Sequence, residues 1–199
     1  MIVAEIAEVV KNNRKPSFTR YCQNLDAYIA QIEVTGADNI KLSTAAGSER
    51  VQLFLEECRQ SQRKVFILGN GGSAAIAAHI QNDLCNGAGI RALSCQDIPT
   101  LTALSNDHGY AKAYERFIRQ WAAEGDFVIA ISSSGESENI LRAVTSAVQI
   151  GCRIFTMSGF KAYNSLRQMG DINFYVPSSH YGHVETIHAI IGHFITDTA

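Results

Sequence analysis

Four side chains at helical spacing could carry proton-transfer or metal chemistry. His79 and Asp83 stand four residues apart in a helix-forming stretch, which puts them on one face. Glu185 and His193 lie eight apart in the last apolar-periodic segment. On a helix they would fall roughly 80° apart, so both could point at one centre. Two imidazoles and two carboxylates form a set that zinc accepts, and the same groups suit proton transfer next to a carbonyl. His188, one turn after Glu185, could support such a group from behind, whereas His180 and His183 need only line a cleft. An i, i+4 His–Asp pair also arises as a plain surface pair. Spacing alone therefore leaves a metal site, an acid–base site and local pairing all open.

A second feature points to an anion. Lys64-Val65-Phe66-Ile67-Leu68 runs into Gly69-Asn70-Gly71-Gly72-Ser73 and then into helix formers from Ala74 to Leu84. Glycines let a backbone approach a ligand closely, and a helix start offers unpaired N–H groups with a partial positive charge. The device recurs where Phe127-Val128-Ile129-Ala130-Ile131 enters Ser132-Ser133-Ser134-Gly135-Glu136-Ser137. Hydroxyls and backbone N–H groups can ring a phosphate without Lys or Arg. The first loop lacks G-x-G-x-x-G spacing and the second lacks a P-loop lysine, which favours a sugar phosphate over a nucleotide. The competing reading of the second loop is a Ser-rich turn that only caps a helix.

The elements that must hold these residues alternate. Apolar groups recur at helical spacing over 18–33 and 47–60, with turn residues between. This pair either packs against a partner subunit or covers the chain's own sheet. Strands are expected at 65–68, near 90–94, and at 127–131, 153–157 and 172–176. Helices are expected at 73–85, from Ile98 to Leu104, and at 111–123, 138–150, 162–169 (weak) and 184–196. Residues 105–109 read as a polar loop, and Gly151 as a helix stop. Such alternation implies a doubly wound α/β fold with a parallel sheet and ligands at the carboxyl ends of its strands.

Composition narrows the class. The 199 residues, 46% hydrophobic and 18% charged, suit one domain with a sizeable core. A formal net charge of -2 without a long basic run argues against nucleic acid as a ligand. No apolar run approaches the roughly 18 residues a membrane span needs. Met1 to Lys15 mixes acids and bases and lacks a signal-peptide core. Cys22, Cys58, Cys85, Cys95 and Cys152 form no C-x-x-C pair and read as reduced thiols packed as small apolar residues, as expected of a cytoplasmic protein.

Gly69-Asn70-Gly71-Gly72-Ser73, the loop Ser132 to Ser137, Asn106-Asp107 and Glu185-x-x-His188-x-x-x-x-His193 together resemble the sugar-isomerase (SIS) domain family, and within it the phosphoheptose isomerases, over nearly the whole chain. The resemblance implies a three-layer α-β-α domain, flavodoxin-like, with a five-stranded parallel sheet. Residues 1–62 would form a helical lead-in with oligomer contacts, and residues 63–199 the phosphosugar-binding core. It implies a homotetramer with active sites between subunits. It implies conversion of sedoheptulose 7-phosphate to D-glycero-D-manno-heptose 7-phosphate through an enediol. Asn70, Gly71, Gly72, Ser73, Asp107, Ser132, Ser133, Ser134, Ser137 and Glu185 would bind substrate and its phosphate. His79, Asp83, Glu185 and His193 would hold zinc, and Asp83 and His193 would move protons, Asp83 as base in the favoured assignment. Two further classes stay open: a non-catalytic adaptor for the replication initiator DnaA, and a phosphosugar-binding regulator. Three positions depart from the family: Asp83 replaces a Glu, Glu185 a Gln, and Gly182 a substrate-contacting Asp.

Overall fold

The computed structural model describes residues 16–199; Met1 to Lys15, read above as lacking a signal-peptide core, lie outside the described residues. The chain opens with α1 (Phe18–Ile29), a hairpin of β1 (Glu33–Gly36) and β2 (Lys41–Leu42), and α2 (Thr44–Gln60). It then alternates: β3 (Val65–Leu68), α3 (Gly72–Asn86), β4 (Ala92–Ser94), α4 (Ile98–His108), α5 (Tyr110–Trp121), β5 (Phe127–Ser132), α6 (Glu138–Ile150), β6 (Arg153–Ser158), β7 (Ile172–Tyr175) and α7 (Tyr181–Asp197).

The sheet order is β2-β1-β7-β6-β5-β3-β4. The five strands from β7 to β4 are parallel, and the hairpin joins β7 in antiparallel fashion. All residues of β3 and β5 are buried, as strands covered on both faces must be. Alternate residues enter two cores. Val65, Ile67, Phe127, Ile129 and Ile131 pack with Leu55 of α2, Ile80 of α3 and Ile187 of α7. Phe66, Leu68, Val128 and Ala130 pack with Phe117 and Ile118 of α5 and Val144 of α6. The result is three layers.

Two carboxylates, one of them buried, fix the strand starts. Asp126 is fully buried, accepts the N–H groups of Lys64 and Ala123 at 2.8 Å each, and pairs with Lys64 Nζ at 3.1 Å. It thereby pins β3 to β5. Asp171 accepts Ile154 N–H at 2.7 Å at the start of β6.

The structure departs from the sequence reading in several places. The turn-rich stretch after α1 holds the β1–β2 hairpin, which extends the five parallel strands to a seven-stranded sheet. The polar stretch 105–109 is helical through His108 and ends only at Gly109, whose φ of +80° suits glycine. Within 162–169 only Leu166–Gln168 forms a 3-10 turn. That segment is tied outward instead: Leu166 N–H donates to Gly135 O, and Ser165 N–H and Oγ donate to the Glu136 carboxylate. Cys58, Cys95 and Cys152 are buried, and burial pushes each thiol up to about 11; Cys22 and Cys85 are exposed rather than packed. Among the described residues no helix is long and apolar enough to cross a membrane.

Two of the α7 histidines, His183 and His188, hold the fold together. His183 is buried among the rings of Tyr21 and Tyr28 of α1 and of His180, with centroids 4.9, 5.2 and 4.8 Å away, so it fastens α1 to α7 and does not line a cleft. His188 is fully buried, with Nε2 3.2 Å from Ser158 O at the end of β6 and Nδ1 unpartnered. It ties α7 to the sheet and gives Glu185 no support. Burial lowers its pKa to about 4. The unfolded chain takes up this proton near its ordinary value of 6.5 and the folded chain only near 4. His188 therefore contributes stability above pH 6.5 that is lost as pH falls toward 4, at roughly 1.4 kcal/mol per pH unit. Urea unfolding at pH 7 and pH 5 should differ by about 2 kcal/mol from this group, and His188→Gln, which keeps an N–H for Ser158, should remove that difference.

Candidate functional site

Three helices start around one cavity at the carboxyl edge of the sheet. It has a volume of about 220 Å³ and is lined by Asn70, Gly71, Gly72 and Ser73 from the β3–α3 loop, Ile131 to Ser134 and Ser137 from the β5–α6 loop, and Tyr181 and Glu185 from α7. All the residues expected to bind substrate or its phosphate are thus together except Asp107, expected at a sugar hydroxyl. That residue sits exposed near the end of α4, with Asn106 Nδ2 donating to it at 3.0 Å, outside the cavity lining of a single chain.

Glycine is required at two points of this rim. Gly71 precedes α3 with φ +54°. Gly135 has φ +67°, and a Cβ there would collide with Asn164 Oδ1. Asn164 is fully buried; its amide donates to Ser158 Oγ, Gly159 O and Lys161 O, and its Oδ1 accepts Arg167 N–H. It braces the serine loop from below.

The serine loop does more than cap α6. Ser137 makes no side-chain cap to that helix; its Oγ lies 3.1 Å from Ser132 Oγ, which also accepts Gly135 N–H. By contrast, the helix starts at Ser17, Ser43 and Asp97 all carry side-chain caps. No side chain caps α3 or α7 either. Ser133 Oγ is buried without a hydrogen-bond partner. Free hydroxyl and uncapped helix starts converge on one cavity, which is the physical requirement for holding an anion.

Among the described residues the cavity's only charged lining residue is Glu185, and it is negative. Its carboxylate stands directly over Gly72, where any side chain would strike it. A phosphate entering here meets a like charge, worth on the order of 1 kcal/mol in a half-solvated setting. Glu185→Gln should therefore tighten inorganic phosphate binding about fivefold, measured by calorimetry. Unchanged affinity would show that the phosphate seat lies away from this carboxylate.

The second cluster lies farther along the same pair of helices. His79 Nε2 is 3.3 Å and His193 Nδ1 3.9 Å from Asp83 Oδ2, and the two imidazoles pack edge to face at 4.7 Å. Ligand-capable atoms of all three lie within 4.8 Å of one another. Two imidazoles and a carboxylate around an open side fit a three-ligand divalent site. Glu185 is not with them. Helices α3 and α7 run side by side in the same direction, with Gly72 against Glu185, Ile80 against Gly192, and Asp83 near His193. Eight residues put Glu185 and His193 about 12 Å apart along the axis. Their similar azimuth, read from the sequence, thus does not place them at one level, and the expected four-residue set is three in this structure.

Sequence reasoning missed Tyr110, Tyr114, Asn139 and Asn164, which hold the loops rather than line them. Tyr114 donates to Gly69 O at 2.7 Å, and Tyr110 donates to Asn70 Oδ1 at 2.7 Å. A pair of tyrosines one helical turn apart was the only signal available. Gly182 faces Tyr21: a Cβ would stand 3.0 Å from its hydroxyl.

Residues 20–159 match the SIS domain. The phosphoheptose isomerase of Syntrophotalea carbinolica is 32% identical over 89% of this chain and 89% of its own. That of Nitratiruptor is 36% identical over 70% and 77%. The structure of phosphoheptose isomerase GmhA from Neisseria gonorrhoeae superposes with a TM-score of 0.72 at 25% identity, covering 76% of this chain and 84% of that one. The glycine and serine loops and the helices that carry them fall within the matched region, and the chain belongs to the SIS domain family, among the phosphoheptose isomerases.

Proposed function

We propose that this chain is an aldose–ketose isomerase that converts sedoheptulose 7-phosphate to D-glycero-D-manno-heptose 7-phosphate. The observation that carries the reading is the placement of an anion cavity and an acid–base cluster on the same two helices. Phosphate anchors at the first turn of α3, and Asp83 lies about 15 Å farther along its axis, less the backward lean of the side chain. A long sugar phosphate can span that interval.

The chain's own residues then supply the proton path. Asp83 takes a proton from C1 of the ketose and returns it to C2, while His193 carries a proton from O1 to O2. Atoms balance, since the net change is one hydrogen moved between carbons and one between oxygens. Asp83 is shorter than the family's Glu, which calls for closer substrate approach. His79, Asp83 and His193 would hold zinc. When bound there, zinc would polarise the sugar carbonyl and offset charge on its oxygen.

The homotetramer belongs to this reading. No residue of α1 is buried in one chain, and Phe18 is 82% exposed, as a surface awaiting a neighbour would be. A single domain over 1–199, a cytoplasmic setting and a substrate contact by Asp107 across subunits complete it.

The test is turnover of sedoheptulose 7-phosphate by purified protein, before and after chelation and zinc restoration. An aldoheptose 7-phosphate that disappears with the chelator and returns with zinc is expected. Absence of product from metal-loaded tetramer, together with capture of DnaA, would replace the enzyme by the adaptor.

A further inference from the structure

Asn70 lines the cavity, and its amide is held by two partners from separate elements. Asn70 Nδ2 donates to Asn139 Oδ1 at 2.9 Å, and Asn139 Nδ2 donates back to Asn70 Oδ1 at 2.9 Å. Tyr110 Oη, at 2.7 Å, takes the second lone pair of Asn70 Oδ1. Asn139 is only 4% exposed, and its Oδ1 also accepts Ile140 N–H at 3.0 Å.

That last bond decides the orientation of the whole group. Ile140 N–H belongs to the first turn of α6 and needs an acceptor. Turning both amides over would set the Asn139 NH2 group against it, donor against donor. Asn139 is therefore fixed, it fixes Asn70, and Tyr110 must donate its hydroxyl proton. An asparagine amide offers two N–H groups and two oxygen lone pairs. Here both lone pairs and one N–H are already used, so Asn70 retains one N–H and nothing else.

We infer that Tyr110 and Asn139 are positioning residues that make Asn70 a donor-only contact, so that the site recognises a ligand oxygen through its lone pair and rejects a hydroxyl that must donate there. This rests on the isomerase reading for the identity of the ligand, and on the hydrogen bonds alone for the orientation. For a sugar phosphate anchored at the first turn of α3, the oxygen that fits is a sugar oxygen near the phosphate that accepts and need not donate. A donor held in advance by neighbouring groups loses little conformational freedom when that oxygen binds.

A double-mutant cycle separates a role through Asn70 from general support. Tyr110→Phe should lower kcat/KM for sedoheptulose 7-phosphate about tenfold and leave inorganic phosphate affinity unchanged, because the serine loop is intact. In an Asn70→Ala background the same change should matter less than about twofold, since its target is gone. Equal losses in both backgrounds, or a parallel loss of phosphate affinity, would overturn the inference. The orientation is also read without any ligand, by side-chain amide hydrogen exchange in the free protein. One Nδ2 proton of Asn70 and one of Asn139 should be protected, and exchange at the solvent rate would overturn the lock even if turnover were normal. If the wild type fails to turn over sedoheptulose 7-phosphate while these amides are protected, it is the isomerase reading that fails and not the positioning.

Discussion

Replacing Asp83 by Asn should reduce kcat by about a thousandfold, the middle of the range a positioned acid or base supplies. The substitution keeps shape and volume but removes the charge that faces His79 at 3.3 Å and His193 at 3.9 Å. Asp83 is partly exposed, with a side-chain exposure of 26%, so its loss should leave folding nearly unchanged. His193→Gln should fall in the same range, and the double variant should lose little more than either single one, because the two act on one substrate in one step. The informative split is between kcat and phosphate affinity. The cavity lies a different distance along α3, so inorganic phosphate should bind both variants as it binds the wild type. Turnover within tenfold of wild type in both single variants would remove this cluster from the mechanism.

The second large effect is expected at Gly135. Alanine there must adopt φ +67° and must also displace Asn164 Oδ1. Positive φ costs a non-glycine residue roughly 1 kcal/mol, and strained packing adds about 1–3 kcal/mol. Asn164 cannot retreat cheaply, because its amide already serves Ser158, Gly159 and Lys161. Gly135→Ala should therefore lower unfolding free energy by about 2–4 kcal/mol and weaken phosphate binding at least tenfold, seen by thermal unfolding and calorimetry together. Loss of stability with phosphate affinity intact would mean that the serine loop is not the phosphate seat.

Much of the frame was legible because single segments determine it. Unbroken apolar runs at Val65–Leu68 and Phe127–Ile131 announced buried parallel strands, and Gly151, at φ +91°, ended α6 where expected. Misreadings arose where a segment's partner lies elsewhere in the chain. Glu33–Gly36 becomes a strand only because β7 offers an edge. Leu166–Gln168 stays short because Gly135 and Glu136 compete for its backbone. Ser105–His108 reads as loop by polarity, yet an exposed helix face is polar too.

The site divides along the same line. Glycine and serine clusters advertise themselves within a few residues, and i, i+4 spacing places His79 beside Asp83. Helical azimuth, however, says nothing of height, which is why Glu185 parts from His193. Tyr110 and Asn139 were invisible because their importance lies in a bond to Asn70, tens of residues away in the chain.

The two ends of the sheet are both blunt. Among the described residues the outermost strands are Lys41–Leu42 on one side and Ala92–Ser94 on the other. Strands of two and three residues present too few free backbone groups to template pairing with another sheet. Any contact between copies would thereby be left to helical surfaces, where side chains rather than backbone decide the fit. Subunit arrangement in such a protein can drift by surface substitution while the strands that aim the glycine and serine loops stay untouched.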